Sequence, residues 1–150
     1  MLKRISSTLI SLLAAGAVLA VTPVYARDTI QEFSISDALN APDANARLDP
    51  NIRLYFAGQN VPAVRKRYVE YATNKKTNSF NKSDLVACEW VFLSAILQLQ
   101  SRAAQLGANA VMNIKSNYKN RRFESPTLFQ CGAGNVIAGV ALTGEMVTVN

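Results

Sequence analysis

Histidine is absent from this chain of 150 residues, and no glycine is followed by lysine. The missing histidine excludes a Ser-His-Asp triad and removes the commonest metal ligand. The missing Gly-Lys pair excludes a phosphate-binding loop, and no serine lies in a Gly-x-Ser-x-Gly elbow. The ten carboxylates are scattered, and no spacing selects an acid/base pair. We therefore expect no enzymatic activity, no ATP binding and no resident cofactor or metal.

Charged residues are also few, at 17% of the chain, whereas apolar residues make up 49%. A disordered chain would show the opposite balance. The length predicts one domain. Lysine and arginine together number 16 against 10 acids, so the formal net charge is +6.

The N-terminal segment has the layout of a secretory signal. Two cations precede an apolar stretch that is richest over residues 9–21, and Val24 and Ala26 supply the small residues that a cleavage site needs. This layout predicts a signal peptide over residues 1–26, cleaved after Ala26. A retained membrane anchor is the alternative, but the apolar run is short for a spanning helix. We expect an exported, periplasmic protein that does not span the membrane.

Cleavage would leave residues 27–150 as a single domain with fourteen cations and ten acids, a formal charge of +4. In an oxidising compartment the two cysteines, Cys88 and Cys131, are most simply explained as one disulfide. It would close a loop of about 44 residues. The alternatives are weaker, because a thiol metal site would lack the four donors of zinc and a catalytic cysteine would lack its histidine.

Hydrophobic periodicity predicts an α+β fold, in which a small, mostly antiparallel sheet of about five strands is crossed by one long helix. The last strand is apolar on both faces, which predicts a central position in the sheet. The predicted strands cover residues 29–36, 52–58, 64–73, 108–114 and 135–149. Outside them we predict a short helical or irregular connection over 37–48, loops over 74–82 and 124–134, and an optional strand continuation to residue 123.

The long helix is predicted over residues 84–106, because apolar residues recur at spacings of three and four and Gly107 provides a stop. A second apolar stripe on this helix requires a cover of its own. That cover is either the N-terminal segments or a subunit interface, so a homo-oligomer is left open. The second stripe consists of Val86, Trp90, Leu93 and Leu97.

Basic residues cluster in places, with aromatic residues between them. Such clusters are found in nucleic-acid-binding proteins, but export argues against that partner. A solvated strand face, an anionic envelope surface such as lipopolysaccharide or wall polymer, and an acidic patch on an envelope protein remain as explanations. The candidate basic surface consists of Arg65, Lys66, Arg67, Lys75, Lys76, Lys115, Lys119, Arg121 and Arg122.

Seven short motifs are distributed over most of the predicted mature chain: Arg53-Leu-Tyr-Phe56, Thr73-Asn-Lys-Lys-Thr-Asn78, Lys82-Ser-Asp84, Ala87-Cys88, Leu106-Gly-Ala-Asn-Ala-Val111, Gln130-Cys-Gly-Ala-Gly134 and Ile137-Ala-Gly-Val-Ala-Leu142. They resemble the motifs of a family of small exported bacterial proteins. Members of that family are often labelled "excinuclease ATPase subunit", an activity that the missing phosphate loop and the missing zinc-finger cysteines exclude here.

About the last 65 residues are also similar to two better-known groups. These are the outer-membrane sensor lipoprotein of the Rcs envelope-stress relay and a cytosolic family described as heavy-metal-binding. The resemblance implies a compact sheet crossed by one long helix, with a cysteine near the helix start bridged to a cysteine in the last loop region. This chain departs from the first group by lacking a lipidation cysteine and a second disulfide, and from the second by lacking histidine and spare thiols.

Two classes of function follow from these observations. The first is a non-enzymatic periplasmic interaction or envelope stress-response module, which the missing catalytic groups and the two-faced helix favour. The second is a metal- or small-ligand-binding periplasmic protein.

Overall fold

The computed structural model describes residues 27–150, so the predicted signal peptide lies outside the described residues. One twisted sheet and one long helix account for most of this part of the chain. A single 3₁₀ turn, Tyr118–Asn120, separates β4 from β5. In chain order the elements are β1 Asp28–Ser34, α1 Ile35–Asn40, α2 Pro42–Arg47, β2 Arg53–Phe56, β3 Val64–Asn78, α3 Asp84–Leu106, β4 Ala110–Ser116, β5 Leu128–Gly134 and β6 Ile137–Val149.

Strand β6 organises the sheet. It pairs antiparallel with β3 along one edge and with β4 and β5 along the other. β1 extends the sheet beyond β5, and β2 pairs with β4 as the one parallel partner within the described part. The predicted α+β class and the central position of the last strand are confirmed. The central position suits β6 because its side chains from Ala138 to Thr143 are buried on both faces.

Helix α3 has the predicted bounds. The Ser83 hydroxyl accepts a hydrogen bond from the backbone N–H of Val86, which caps the N-terminus. Gly107 ends the helix in the left-handed conformation, with φ of 76°. The apolar face packs on the sheet, where the rings of Phe92 and Phe129 stack with their centroids 4.0 Å apart.

Two predicted loops are strands instead. β3 continues past residue 73 to Asn78, because each added residue pairs with β6, ending at the Asn78–Ile137 pair. Residues 128–134, predicted as part of a loop, form β5, because they pair with β1 over seven positions. The optional strand continuation toward residue 123 is wrong, since the chain makes the 3₁₀ turn and then a single bridge from Phe123 to Ser116.

Candidate functional site

The predicted disulfide joins Cys88 on α3 to Cys131 on β5, with a Cα separation of 5.9 Å. Both residues are fully buried. The bridge therefore attaches the first turns of the long helix to the sheet, as the sequence predicted, although Cys131 lies on a strand and not in a loop.

The predicted basic residues do not form one surface. Arg65, Lys66 and Arg67 are exposed at the start of β3, where Arg67 pairs with Glu145 at 2.7 Å. Lys75 and Lys76 lie near the other end of that strand. The remaining exposed cations, Lys119, Arg121 and Arg122, belong to the excursion that follows β4.

Lys115 does not belong to a basic surface. Its side chain is only 8% exposed, and its ammonium lies 3.1 Å from the Glu124 carboxylate. The reason is strand geometry: Lys115 pairs with Thr143 of the central strand, and both residues are buried. The sequence placed a cation on a strand, but it did not show that this position was covered.

Tyr118 occupies a slot made by two glycines. Gly132 and Gly139 pair across β5 and β6, and a Cβ on Gly132 would overlap the Tyr118 ring. The Tyr118 hydroxyl lies 3.3 Å from Asp28, whose other oxygen binds the Lys119 ammonium. This hydrogen bond from Lys119 lowers the pKa of Asp28, whereas burial, followed by the Asp28 charge, raises the pKa of Tyr118.

Asp84 ties the start of α3 to the start of β1. Its carboxylate accepts hydrogen bonds from the amide of Gln31, at 2.6 Å, and from the guanidinium of Arg27. The Gln31 bond first and the Arg27 bond second hold the pKa of Asp84 below its usual value. The same carboxylate lies in the first turn of α3, where the helix dipole favours a negative charge.

One end of the molecule gathers most of the large apolar side chains that are exposed. Six of the eight such residues among the described residues lie on the segment from Phe80 to Trp90 and at the turn between β5 and β6, and hydrogen bonds join the start of that segment to the turn. The Ser79 backbone N–H donates to the Val136 carbonyl, and its hydroxyl donates to the Gly134 carbonyl. We call this surface the apolar end: Phe80, Leu85, Val86, Trp90, Val136 and Ile137.

A groove of about 310 Å³ continues the apolar end between α3 and the N-terminal helices. The N-terminal segments bury Leu93 of the second stripe but leave Val86 55% and Trp90 47% exposed. Arg47 lies over the Trp90 ring, 5.1 Å from its centroid. Of the two covers predicted for the second stripe, the N-terminal helices are therefore present, but they cover only the inner portion of the stripe. The groove is lined by Ala38, Ala41, Asp43, Ala44, Lys82, Val86, Glu89, Trp90 and Leu93.

Cations border the apolar end. Lys82 lines the groove beside Val86, and Lys76 lines a second shallow cleft beside Val136 and Ile137. Within the described residues, neither lysine forms an ion pair with a carboxylate, whereas Asp28 and Asp84 at this end are each paired with a cation.

Sequence reasoning identified only the Val86 and Trp90 part of this surface. Phe80 falls in a predicted polar loop, where a bulky apolar residue was the one signal that could have marked it, whereas Val136 falls in the predicted last strand and carries no such signal.

In residues 27–150 no three cysteine, aspartate or glutamate side chains converge in a way that could hold a metal ion. No helix in the same residues is long and apolar enough to cross a membrane. No protein-family model, curated protein or solved structure matches this chain.

Proposed function

We propose that the protein is an exported, non-enzymatic interaction module that attaches to an anionic lipid surface of the cell envelope through its apolar end. The observation that carries the proposal is the gathering of six exposed apolar side chains at one end of the described residues, next to Lys76 and Lys82, neither of which forms an ion pair there. A cluster of exposed apolar side chains is typical of a protein or membrane contact.

Three features favour a lipid surface over a protein partner. Phe80 and Val136 project from turns and not from a flat face, so they can enter a lipid interface without moving the sheet. Trp90 offers an amphipathic ring of the kind that sits at the level of lipid headgroups. Lys76 and Lys82 supply positive charge beside them, and each cation near an anionic lipid surface contributes about 1 kcal/mol.

The predicted signal peptide and the disulfide support an envelope location, because disulfides persist in oxidising compartments. The resemblance to an envelope-stress sensor favours the same compartment.

Vesicle binding tests the proposal. The chain has a single tryptophan, so Trp90 fluorescence reports its own transfer from water to lipid without a label. We expect a blue shift and co-sedimentation with vesicles containing phosphatidylglycerol, and weaker binding to vesicles of phosphatidylcholine alone. Phe80→Ser and Ile137→Ser should each reduce the bound fraction, and Lys82→Gln should reduce the preference for the anionic lipid.

Leu128→Ser is the matched control, because Leu128 is also an exposed apolar residue, 36% accessible, but lies at the other end of β5. Equal losses for Leu128→Ser and Phe80→Ser would contradict a localised contact. Absence of binding to phosphatidylglycerol vesicles, together with crosslinks from Trp90 to an envelope protein, would replace the lipid surface with a protein partner.

A further inference from the structure

The outer edge of β3 carries no neighbouring strand within the described residues. β3 pairs with β6 along one side only. Ala72, Asn74 and Lys76 are exposed on this strand. An unpaired strand edge of this length is a template for another strand unless the protein blocks it.

The hydrogen-bond pattern of β6 shows which β3 residues present their backbone at that edge. The carbonyls of Val147 and Ala141 accept bonds from Asn109 and Asn117 on the β4 side. In an antiparallel sheet the backbone N–H and C=O of successive residues point alternately to the two neighbouring strands. The odd-numbered residues of β6 point toward β4, so the β3 residues that lie opposite them point their own N–H and C=O away from β6. The register identifies them as Glu70, Ala72, Asn74 and Lys76.

These four residues are complementary to themselves in an antiparallel arrangement. When Ala72 of one copy lies opposite Asn74 of a second, Glu70 lies opposite Lys76 in both directions, and the two Thr73 residues meet at the two-fold axis. Opposite charges facing each other across strands are favourable. Sliding either strand by two residues places Glu70 opposite Asn74 or Asn78, so both charge pairs are lost.

The single chain leaves both charged residues of this pair without a partner. Within the described residues Glu70 has no cation and Lys76 has no carboxylate within ion-pair distance, and Glu70 lies opposite a second acid, Glu145, in the β3–β6 ladder. Arg67 already pairs with Glu145, so a lysine from a second copy would supply the cation that Glu70 lacks. The cations Arg65 to Arg67 fall opposite residues 79–81, beyond the end of β3, so they do not oppose one another.

We infer that two copies of this chain pair edge to edge through β3, with Glu70 of each copy opposite Lys76 of the other. Four hydrogen-bonded residue pairs would contribute about eight backbone hydrogen bonds. The register shift between Arg67 and Glu70 bends the strand there and limits the pairing to the segment that follows. Lys76 also borders the apolar end, but the strand pairing itself requires no lipid and is tested on the protein alone.

Charge reversal with restoration tests the pairing. We expect the purified protein to show twice the single-chain mass by sedimentation equilibrium, and Glu70→Lys and Lys76→Glu each to shift it to the monomer mass. The double variant E70K/K76E restores opposite charges at both positions and should restore the dimer. Arg65→Glu is the matched control, because it makes the same charge change as Lys76→Glu outside the paired segment and should remain dimeric.

A backbone variant gives a second readout that does not depend on charge. Asn74→Pro removes an N–H that faces away from β6, so it should abolish the dimer while the β3–β6 ladder persists. Circular dichroism verifies that each variant is folded. A wild-type protein that is monomeric at every concentration would overturn the inference. A folded E70K/K76E variant that stays monomeric, or a folded Asn74→Pro variant that stays dimeric, would do the same.

Discussion

Breaking the Cys88–Cys131 bridge should lower the stability of the fold by several kcal/mol. The sequence separation is 43 residues, so loop-closure entropy in the unfolded chain amounts to about 4 kcal/mol. Residual structure in the reduced, unfolded chain lowers that figure, and we expect a loss of roughly 2–4 kcal/mol. Replacing both cysteines by alanine should cost about as much as replacing either one, because a single bridge is lost in each case.

The loss of stability after reduction of the bridge should be uneven across the sheet. β5 meets β6 only through Gly132 and Ala133, whereas it pairs with β1 along its whole length. The β1–β5 pair is therefore attached to the rest of the sheet by a short ladder, by packing against α3 and by the bridge at Cys131. Reduction removes the covalent attachment, so β1 and β5 should open at lower free energy than β3, β4 and β6.

Two measurements check this prediction. Urea unfolding followed by Trp90 fluorescence gives the free-energy difference between oxidised and reduced protein. Hydrogen exchange gives its location, with an expected loss of protection at Phe129 and Ala133 and retained protection at Val140 and Leu142. A change below about 1 kcal/mol, or a uniform loss of protection over all strands, would refute the reasoning.

Two further predictions concern the contacts that hold β1 and β5. Gly132→Ala should displace the Tyr118 ring and cost about 1 kcal/mol in urea unfolding, more than Gly139→Ala, because an added Cβ overlaps the ring at the first position and only approaches it to 3.3 Å at the second. Because the pKa of Asp84 is lowered in the folded chain, its contacts stabilise the fold above the unfolded pKa of about 3.9 and are lost as the pH falls through the folded pKa. The urea midpoint of Asp84→Asn should therefore fall less than that of the wild type between neutral and acidic pH, and parallel curves would contradict the assignment.

The elements with local signals were predictable from the sequence. Helix α3 has an apolar period of 3.6 within its own residues and a capping serine and a terminal glycine directly beside them. β5 has none of these signals, because glycine and cysteine favour no strand on their own and the segment becomes a strand only by pairing with β1. The polar end of β3 likewise becomes a strand only by pairing, in this case with β6, and it can remain polar because an edge strand needs no apolar outer face.

The candidate site was less predictable than the fold, because its residues converge from distant segments. Phe80 and Val136 are 56 positions apart in the sequence, and the Ser79–Val136 hydrogen bond brings their segments together only after β3 and β6 have paired. Whether a predicted cation is buried or exposed likewise depends on its position in the sheet. Lys115 is buried beside the central strand, whereas Lys76 is exposed at the edge.

The two proposed contacts are linked by strand direction. Asn78 ends β3 at the apolar end, and antiparallel pairing about Thr73 would direct this end of each copy away from that of the other. Five residues separate Asn78 from Thr73, so the two strand ends would lie roughly 30 Å apart on opposite sides of the two-fold axis. A dimer could then place only one apolar end on a given flat surface, and its second end would be free to contact another. Wild-type protein should therefore cluster phosphatidylglycerol vesicles, seen as a rise in turbidity, whereas Glu70→Lys, which leaves the apolar end intact, should bind vesicles without clustering them. Clustering by a Glu70→Lys variant shown to be monomeric would break the link between the two contacts.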